Sequence, residues 1–249
     1  MTNLSQIASS FSPISLDEMD DVKLMSRTDT KFAFQSKILP ILFNKMTPFY
    51  RVLSINGDLI HDYKSLYFDT DDRKFYLDHH NRRVNRHKVR FREYVGSSLT
   101  FLEIKRKNNK GRTIKKRIKV DSISNSISEK QQDYIKGIIG EEIDIKSKQW
   151  INFSRITFVH KTKKERLTID VNLTFENEKK SGDLKEIIIA EVKQERMSRS
   201  SDFMRIAKEL HILPIRISKY CMSTLELHPD LKHNRFKEKK IFINKLKQA

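Results

Sequence analysis

Apolar and polar residues alternate with a period of two along much of this chain, and that period predicts strands. Such segments run at about 27–35, 50–56, 60–69, 86–95, 99–107, 112–120, 154–160, 165–173 and 185–195. In HKVRFREYV, Lys88, Arg90, Arg92 and Tyr94 share one face, while Val89, Phe91 and Val95 share the other. In TFLEIKRK, Glu103, Lys105 and Lys107 oppose Leu102 and Ile104. In RTIKKRIKV, Lys115, Arg117 and Lys119 oppose Ile114, Ile118 and Val120. Further on, Arg166, Thr168, Asp170 and Asn172 oppose Leu167, Ile169 and Val171, and Glu191, Lys193 and Glu195 oppose Ala190 and Val192.

Helical signals are fewer. Ser15 and Glu18 make a capping box at the start of SLDEMDD. Ser36 opens SKILPILFNKM, with Pro40 in the first turn, where its missing N–H is tolerated. Residues 69–81, 128–140 (with Gly140 as C-cap), 202–212 and 218–227 read as further helices. Many strands with few helices between them predict an antiparallel sheet or barrel, not a doubly wound fold.

Composition refines this picture. The chain of 249 residues has only 6 Gly and 5 Pro, so a linker-rich architecture is excluded and one domain is expected. Lys and Arg exceed Asp and Glu by enough to give a formal net charge of +18, which favours a polyanionic partner. Cys221 is the only cysteine, so no intramolecular disulfide forms and a reducing, cytoplasmic setting is expected. The start, MTNLSQIASSFSPIS, lacks the basic-then-apolar pattern of a secretory signal. The longest pure apolar run, Ile187–Ala190, is far shorter than the ~20 residues of a membrane span. A soluble chain is expected, with any membrane association coming through a protein partner.

Alternation alone is also what an ordinary half-solvated sheet produces. Here, however, cations outnumber carboxylates on the charged faces of several strands. If the apolar faces pack against outer helices, the cations look inward, which is costly unless an anion meets them. Other chemistry is thinly represented. Adjacent His79 and His80 beside Asp78 point apart on a helix, so they are expected at the surface rather than on a metal, and Cys221 is expected to be a buried small hydrophobe. There is no P-loop, nucleophile elbow or CxxC pair, and no aromatic RNA-binding motif to accompany the charge, so nucleic acid is not the expected partner.

The strings RTDTKF (27–32), SLYFDT (65–70), NRHKVRFREY (85–94), FLEIKRKNNKGRTIKKRI (101–118), ERLTIDVNLTF (165–175), EVKQE (191–195) and ISKYCM (217–222) occur in that order. Together they resemble the VTC domain, the polyphosphate polymerase domain of the vacuolar transporter chaperone family, in its stand-alone bacterial form. That family belongs to the triphosphate tunnel metalloenzymes. The resemblance implies an α+β, mainly antiparallel fold: an eight-stranded tunnel barrel with helices packed outside. It spans residues 15–240, with 1–14 as an N-terminal tail and 241–249 as a basic C-terminal tail.

By the same resemblance, Lys31, Arg90, Arg92, Lys105, Lys115 and Lys219 fall on catalytic positions. Arg155, Arg166, Lys193, Ser218 and Arg216 fall on phosphate-binding ones, with Arg216 standing where a second lysine is expected. Glu191 falls on the metal-binding carboxylate, implying Mn²⁺ or Mg²⁺, while Asp170 and Glu103 share its face as assistants or structural partners. The superfamily's opening E-x-E-x-K is replaced by Arg27, Asp29 and Lys31. This replacement is shared with the VTC branch and counts against cyclase and thiamine triphosphatase chemistry. The implied activity is transfer of a phosphoryl group from ATP or another nucleoside triphosphate to polyphosphate. A hydrolase of such substrates and a non-catalytic polyphosphate sensor are the alternatives.

Overall fold

The computed structural model describes residues 4–19, 28–108, 113–195 and 200–248. Arg27, and the SLDEMDD helix beyond Met19, lie outside them. Both bonds of the Ser15–Glu18 capping box are nonetheless present. In chain order the elements are α1 (Leu4–Ala8), β1 (Pro13–Ile14), β2 (Thr28–Gln35), α2 (Leu39–Met46), β3 (Tyr50–Leu53), β4 (His61–Asp69), α3 (Lys74–His80), β5 (Arg86–Tyr94), β6 (Leu99–Lys107), β7 (Thr113–Val120) and α4 (Glu129–Ile139). They continue with β8 (Lys146–His160), β9 (Glu165–Glu176), β10 (Ser181–Leu184), β11 (Ile187–Gln194), α5 (Asp202–Glu209), α6 (Lys219–Leu227) and α7 (Lys237–Gln248). No helix among the described residues is long and apolar enough to cross a membrane.

All the strands form one 11-stranded sheet whose main path runs β2-β11-β9-β8-β4-β5-β6-β7. Every pairing is antiparallel except the short β1–β3 contact. The expected closed eight-stranded barrel is corrected here, because no ladder joins β2 to β7 among the described residues. The free edge of β2 is taken instead by the segment leading to α6. Ile215 N–H donates to the Lys31 carbonyl at 2.8 Å, and Phe32 makes a lone bridge to Pro214. Proline has no N–H with which to extend a ladder, so this segment covers the edge without becoming a strand.

The sheet is curled, bringing Lys105 of β6 into electrostatic contact with Glu191 of β11. Its outer face is apolar. Phe32, Phe34, Phe158, Ile169 and Val192 pack with Leu42 and Phe43 of α2 and Phe203 of α5, while Phe68, Phe91, Leu102 and Ile104 pack with Ile135 of α4.

The inner face is divided by a bulge. Asn152 pairs with Thr174 and Ser154 with Val171, so Phe153 faces two β9 residues, Asn172 and Leu173. Asn172 takes up the extra residue with φ 53°, a left-handed conformation that asparagine tolerates better than most side chains. It is exposed rather than aligned with Arg166, Thr168 and Asp170 as the alternation suggested. Beyond the bulge the parity inverts, so Leu173 and Phe175 turn inward. One half of the inner face is therefore charged. The other half is apolar and covered by Tyr220, Met222 and Leu225 of α6 and Ile243 of α7.

Both predicted tails carry secondary structure. Ala8 of α1 is fully buried, and the 240/241 boundary falls inside α7, where Ile243 is fully buried and the Leu246 carbonyl accepts from Gln35 Nε2 at 2.7 Å. His80 corrects another expectation: it is fully buried, accepts from Arg235 N–H at 3.2 Å and packs against Tyr76 and Phe236. Cys221 is buried in α6.

Candidate functional site

Three carboxylates organise the charged half of the inner face. The first is Glu103 on β6, fully buried. Its Oε2 accepts from Arg90 Nε at 2.9 Å and Nη2 at 2.6 Å, and Lys115 of β7 pairs with Oε1. Arg90 Nη1 also donates to the Tyr67 hydroxyl at 2.6 Å. Burial works to raise the Glu103 pKa, but Arg90, Arg92 and Lys115 outweigh it and hold the group far below the usual carboxylate range. Arg92 donates to Ser65 Oγ at 3.2 Å and lies over the rings of Tyr63 and Phe153.

The second carboxylate is Asp170 on β9. Arg155 of β8 grips it with both arms of the guanidinium, at 2.6 and 2.9 Å, and Lys219 from the first turn of α6 joins on Oδ2. Burial again opposes ionisation, and Arg155 and Lys219 overcome it.

The third is Glu191 on β11. Lys193 Nζ lies 3.1 Å from its Oε2 and 3.2 Å from Thr168 Oγ1, and Lys31 stands opposite Glu191 in the β2–β11 register. Against the cost of burial, Lys193, Lys31, Arg155 and Lys105 hold its pKa well below normal. The α6 N-terminus completes the ring. Ser218 Oγ accepts from Cys221 N–H at 3.3 Å and from Lys88 Nζ at 2.9 Å, and Lys31 Nζ donates to the Ile217 carbonyl at 3.3 Å.

Register makes the arrangement electrostatically unbalanced. Lys88 pairs with Lys105, and Lys105 with Lys115, so three lysines form one row across β5, β6 and β7. Like charges directly opposite one another destabilise a sheet. Burial, with Arg90 and Arg92 nearby, pushes Lys105 well below its ordinary pKa. Burial also pushes Lys193 down to about 8, although Glu191 pulls it up.

A bound polyanion restores these pKa values, so triphosphate binding at pH 8.5 is expected to take up protons. Calorimetry in buffers of different ionisation enthalpy should give an uptake whose Lys193 share falls as pH drops below about 8. A pH-independent, proton-neutral binding reaction would show that these lysines do not meet the anion.

The structure thus brings together Lys31, Arg90, Arg92, Lys105, Lys115, Arg155, Lys193, Ser218, Lys219 and Glu191. Arg166 sits at the edge of the group, paired in register with Lys193. Arg216 is exposed and belongs to the rim beside Lys107. Lys88, Tyr67 and Ser65 are added to the expected residues. The alternation in HKVRFREYV already placed Lys88 with Arg90 and Arg92, whereas Ser65 and Tyr67, although inside the string SLYFDT, carry no charge that singles them out.

An α+β protein whose curled antiparallel sheet gathers cations from six strands and one helix N-terminus is, by class, built to hold a polyanion. The chain belongs to the VTC domain family, whose model matches residues 26–228. No curated protein matches its sequence. Among solved structures it is similar to HpAC1 from Hippeastrum, described as a "putative adenylyl cyclase" with a dominant triphosphatase activity, at 14% identity and a TM-score of 0.47, covering 82% of this chain and 98% of that one. A "putative adenylate cyclase" from Vibrio parahaemolyticus gives 11% identity and a TM-score of 0.46, covering 80% and 99%. The PH1819 protein of Pyrococcus horikoshii OT3 gives 12% and 0.45, covering 82% and 99%. At these values the likeness concerns the course of the chain alone.

Proposed function

We propose that the chain binds a nucleoside triphosphate and polyphosphate on its cationic inner face. It transfers the terminal phosphoryl group of the nucleotide to the end of the polyphosphate chain. The observation that carries this reading is the Lys88–Lys105–Lys115 row beside Arg90, Arg92 and Arg155. Even with Glu103 and Asp170 paired within it, this is a partly buried excess of positive charge that a multiply charged anion would offset, and family membership supports the same reading.

Arginines would grip phosphate oxygens in pairs and lysines would follow them as movable point charges. In the transfer, an acceptor phosphate oxygen bonds to the terminal phosphorus as the bond to the β-phosphate bridging oxygen breaks, releasing a nucleoside diphosphate. The acceptor is already ionised, so no general base is required. Glu103 and Asp170, each locked by two cations, need not serve as one. The work that remains is alignment and charge neutralisation.

A divalent cation would have one candidate ligand. No group of three potential ligands occurs among the described residues. Of the three carboxylates described above, though, Glu191 is the one that no arginine chelates, and its ion pair with Lys193 uses Oε2. Glu191 would hold Mn²⁺ or Mg²⁺ jointly with substrate phosphates and water. The ion would supply further neutralisation of the phosphate oxygens.

Purified protein incubated with ATP, short polyphosphate primer and either metal should yield chains longer than the primer, together with ADP, by gel and by phosphorus NMR. Orthophosphate as the sole phosphate product would assign a hydrolase, and tight binding without turnover would assign a sensor.

A further inference from the structure

The cationic region is continuous with an aromatic ledge that phosphate binding does not require. At the Tyr94 end of β5, inward-facing rings form a row across four strands. Phe153 of β8 stacks on Tyr63 of β4, with centroids 5.2 Å apart and planes 3° apart. Tyr63 meets Tyr94 of β5 at 4.9 Å, and Tyr94 meets Phe101 of β6 edge-on at 5.9 Å. Register holds the row together, since Tyr63 pairs with both Phe153 and Tyr94. Phe153 is buried, but Tyr63, Tyr94 and Phe101 are each only half-buried.

Cations flank the ledge. The Arg92 and Arg155 guanidiniums lie 5.3 and 5.1 Å from the Tyr63 centroid. Arg117 lies 4.3 Å over the Phe101 ring. Partly exposed aromatic faces next to phosphate-gripping arginines suit one kind of ligand, a planar ring tethered to a phosphate chain. A nucleobase stacks on such faces and on arginine planes without needing sequence-specific hydrogen bonds. Inorganic polyphosphate has nothing to place there.

We infer that Tyr94 and Phe101, with Arg117, form a nucleobase platform that makes a nucleoside triphosphate bind better than an inorganic triphosphate chain. This inference rests on the reading of the cationic face as a triphosphate site, and it predicts a preference for purines, the larger stacking surfaces.

The test is calorimetric titration of the full chain, in EDTA to prevent turnover, with ATP, UTP and tripolyphosphate. Tyr94→Ala and Phe101→Leu should each weaken ATP by roughly tenfold, in line with the usual effect of removing a base-stacking ring. Tripolyphosphate affinity should stay within about twofold of wild type, which also reports that each variant is folded. The wild-type preference for ATP over UTP should shrink in both variants. Equal weakening of ATP and tripolyphosphate, or no weakening of either, overturns the platform and leaves the phosphate site intact. Failure of wild-type protein to bind tripolyphosphate at all overturns both.

Discussion

Asp170→Asn is expected to destabilise the ligand-free protein by about 3–5 kcal/mol, the usual cost of removing one partner from a buried ion pair. Asp170 is 2% exposed and carries both Arg155 and Lys219. An amide of the same shape keeps one acceptor oxygen but withdraws the charge, leaving two buried cations without a counter-ion. The pH dependence follows from the direction of the Asp170 shift. Its folded pKa lies below the ordinary value of 3.8, so its stabilisation is fully present above that value and is lost as pH falls toward the folded pKa. Wild type and variant should therefore differ most at neutral pH and converge in acid.

Tripolyphosphate adds a second readout. In the variant the freed Arg155 and Lys219 have an anion to bind, so added ligand should raise Tm more than it does in wild type. Urea unfolding at pH 7 and at a pH well below 3.8, with a ligand-dependent melt, covers all of these outcomes. A cost below about 1 kcal/mol, in the range of an exposed pair, would sink the counter-ion role.

The same pair shows what could be read from the amino acids and what could not. Alternation in ERLTIDV placed Asp170 and Arg166 on one face, and alternation in HKVRFREYV and TFLEIKRK did the same for Arg90, Arg92, Glu103 and Lys105. Each such face depends only on neighbouring residues. Which cation meets which carboxylate depends on how elements far apart in the chain pack together, as with Lys219 of α6 reaching Asp170 of β9. Alternation also cannot announce a bulge. One left-handed residue at Asn172 inverts the inward parity of β9 and separates the charged half of the inner face from its apolar half. Nor does a strand count distinguish a closed barrel from an open one. Among the described residues no ladder joins β2 to β7, and the segment holding Pro214 lies along β2 instead. The N-terminal half of β8, KSKQWINF, lies outside the segments that alternation predicts, and pairs with β4 along its length. Likewise His80 is enclosed by Phe236, from a distant C-terminal turn, as well as by its own helix neighbour Tyr76, and no pattern within α3 announces the former.

Glu191→Gln is expected to lower metal-dependent turnover by at least about a hundredfold, because a ligating carboxylate supports several kcal/mol of charge stabilisation in the transition state. Binding should respond in the opposite sense. The substitution removes a negative charge from the midst of Lys193, Lys31, Arg155 and Lys105, so tripolyphosphate affinity in metal-free buffer should be unchanged or higher. The gain is limited by Lys193. Glu191 is what raises its pKa against burial, to about 8, so without the carboxylate the lysine becomes easier to neutralise. The increase in affinity is therefore expected to be clearer in mildly acidic buffer than at pH 8. Metal supplies a readout that does not depend on turnover: adding Mn²⁺ should tighten tripolyphosphate binding in wild type and have little effect in the variant. Wild-type turnover in Glu191→Gln with either metal would remove Glu191 from the metal site. Parallel loss of metal-free tripolyphosphate binding and turnover would instead make it a structural partner of Lys193. A split, with binding kept and metal response lost, is the signature expected of a carboxylate that meets phosphate only through a cation.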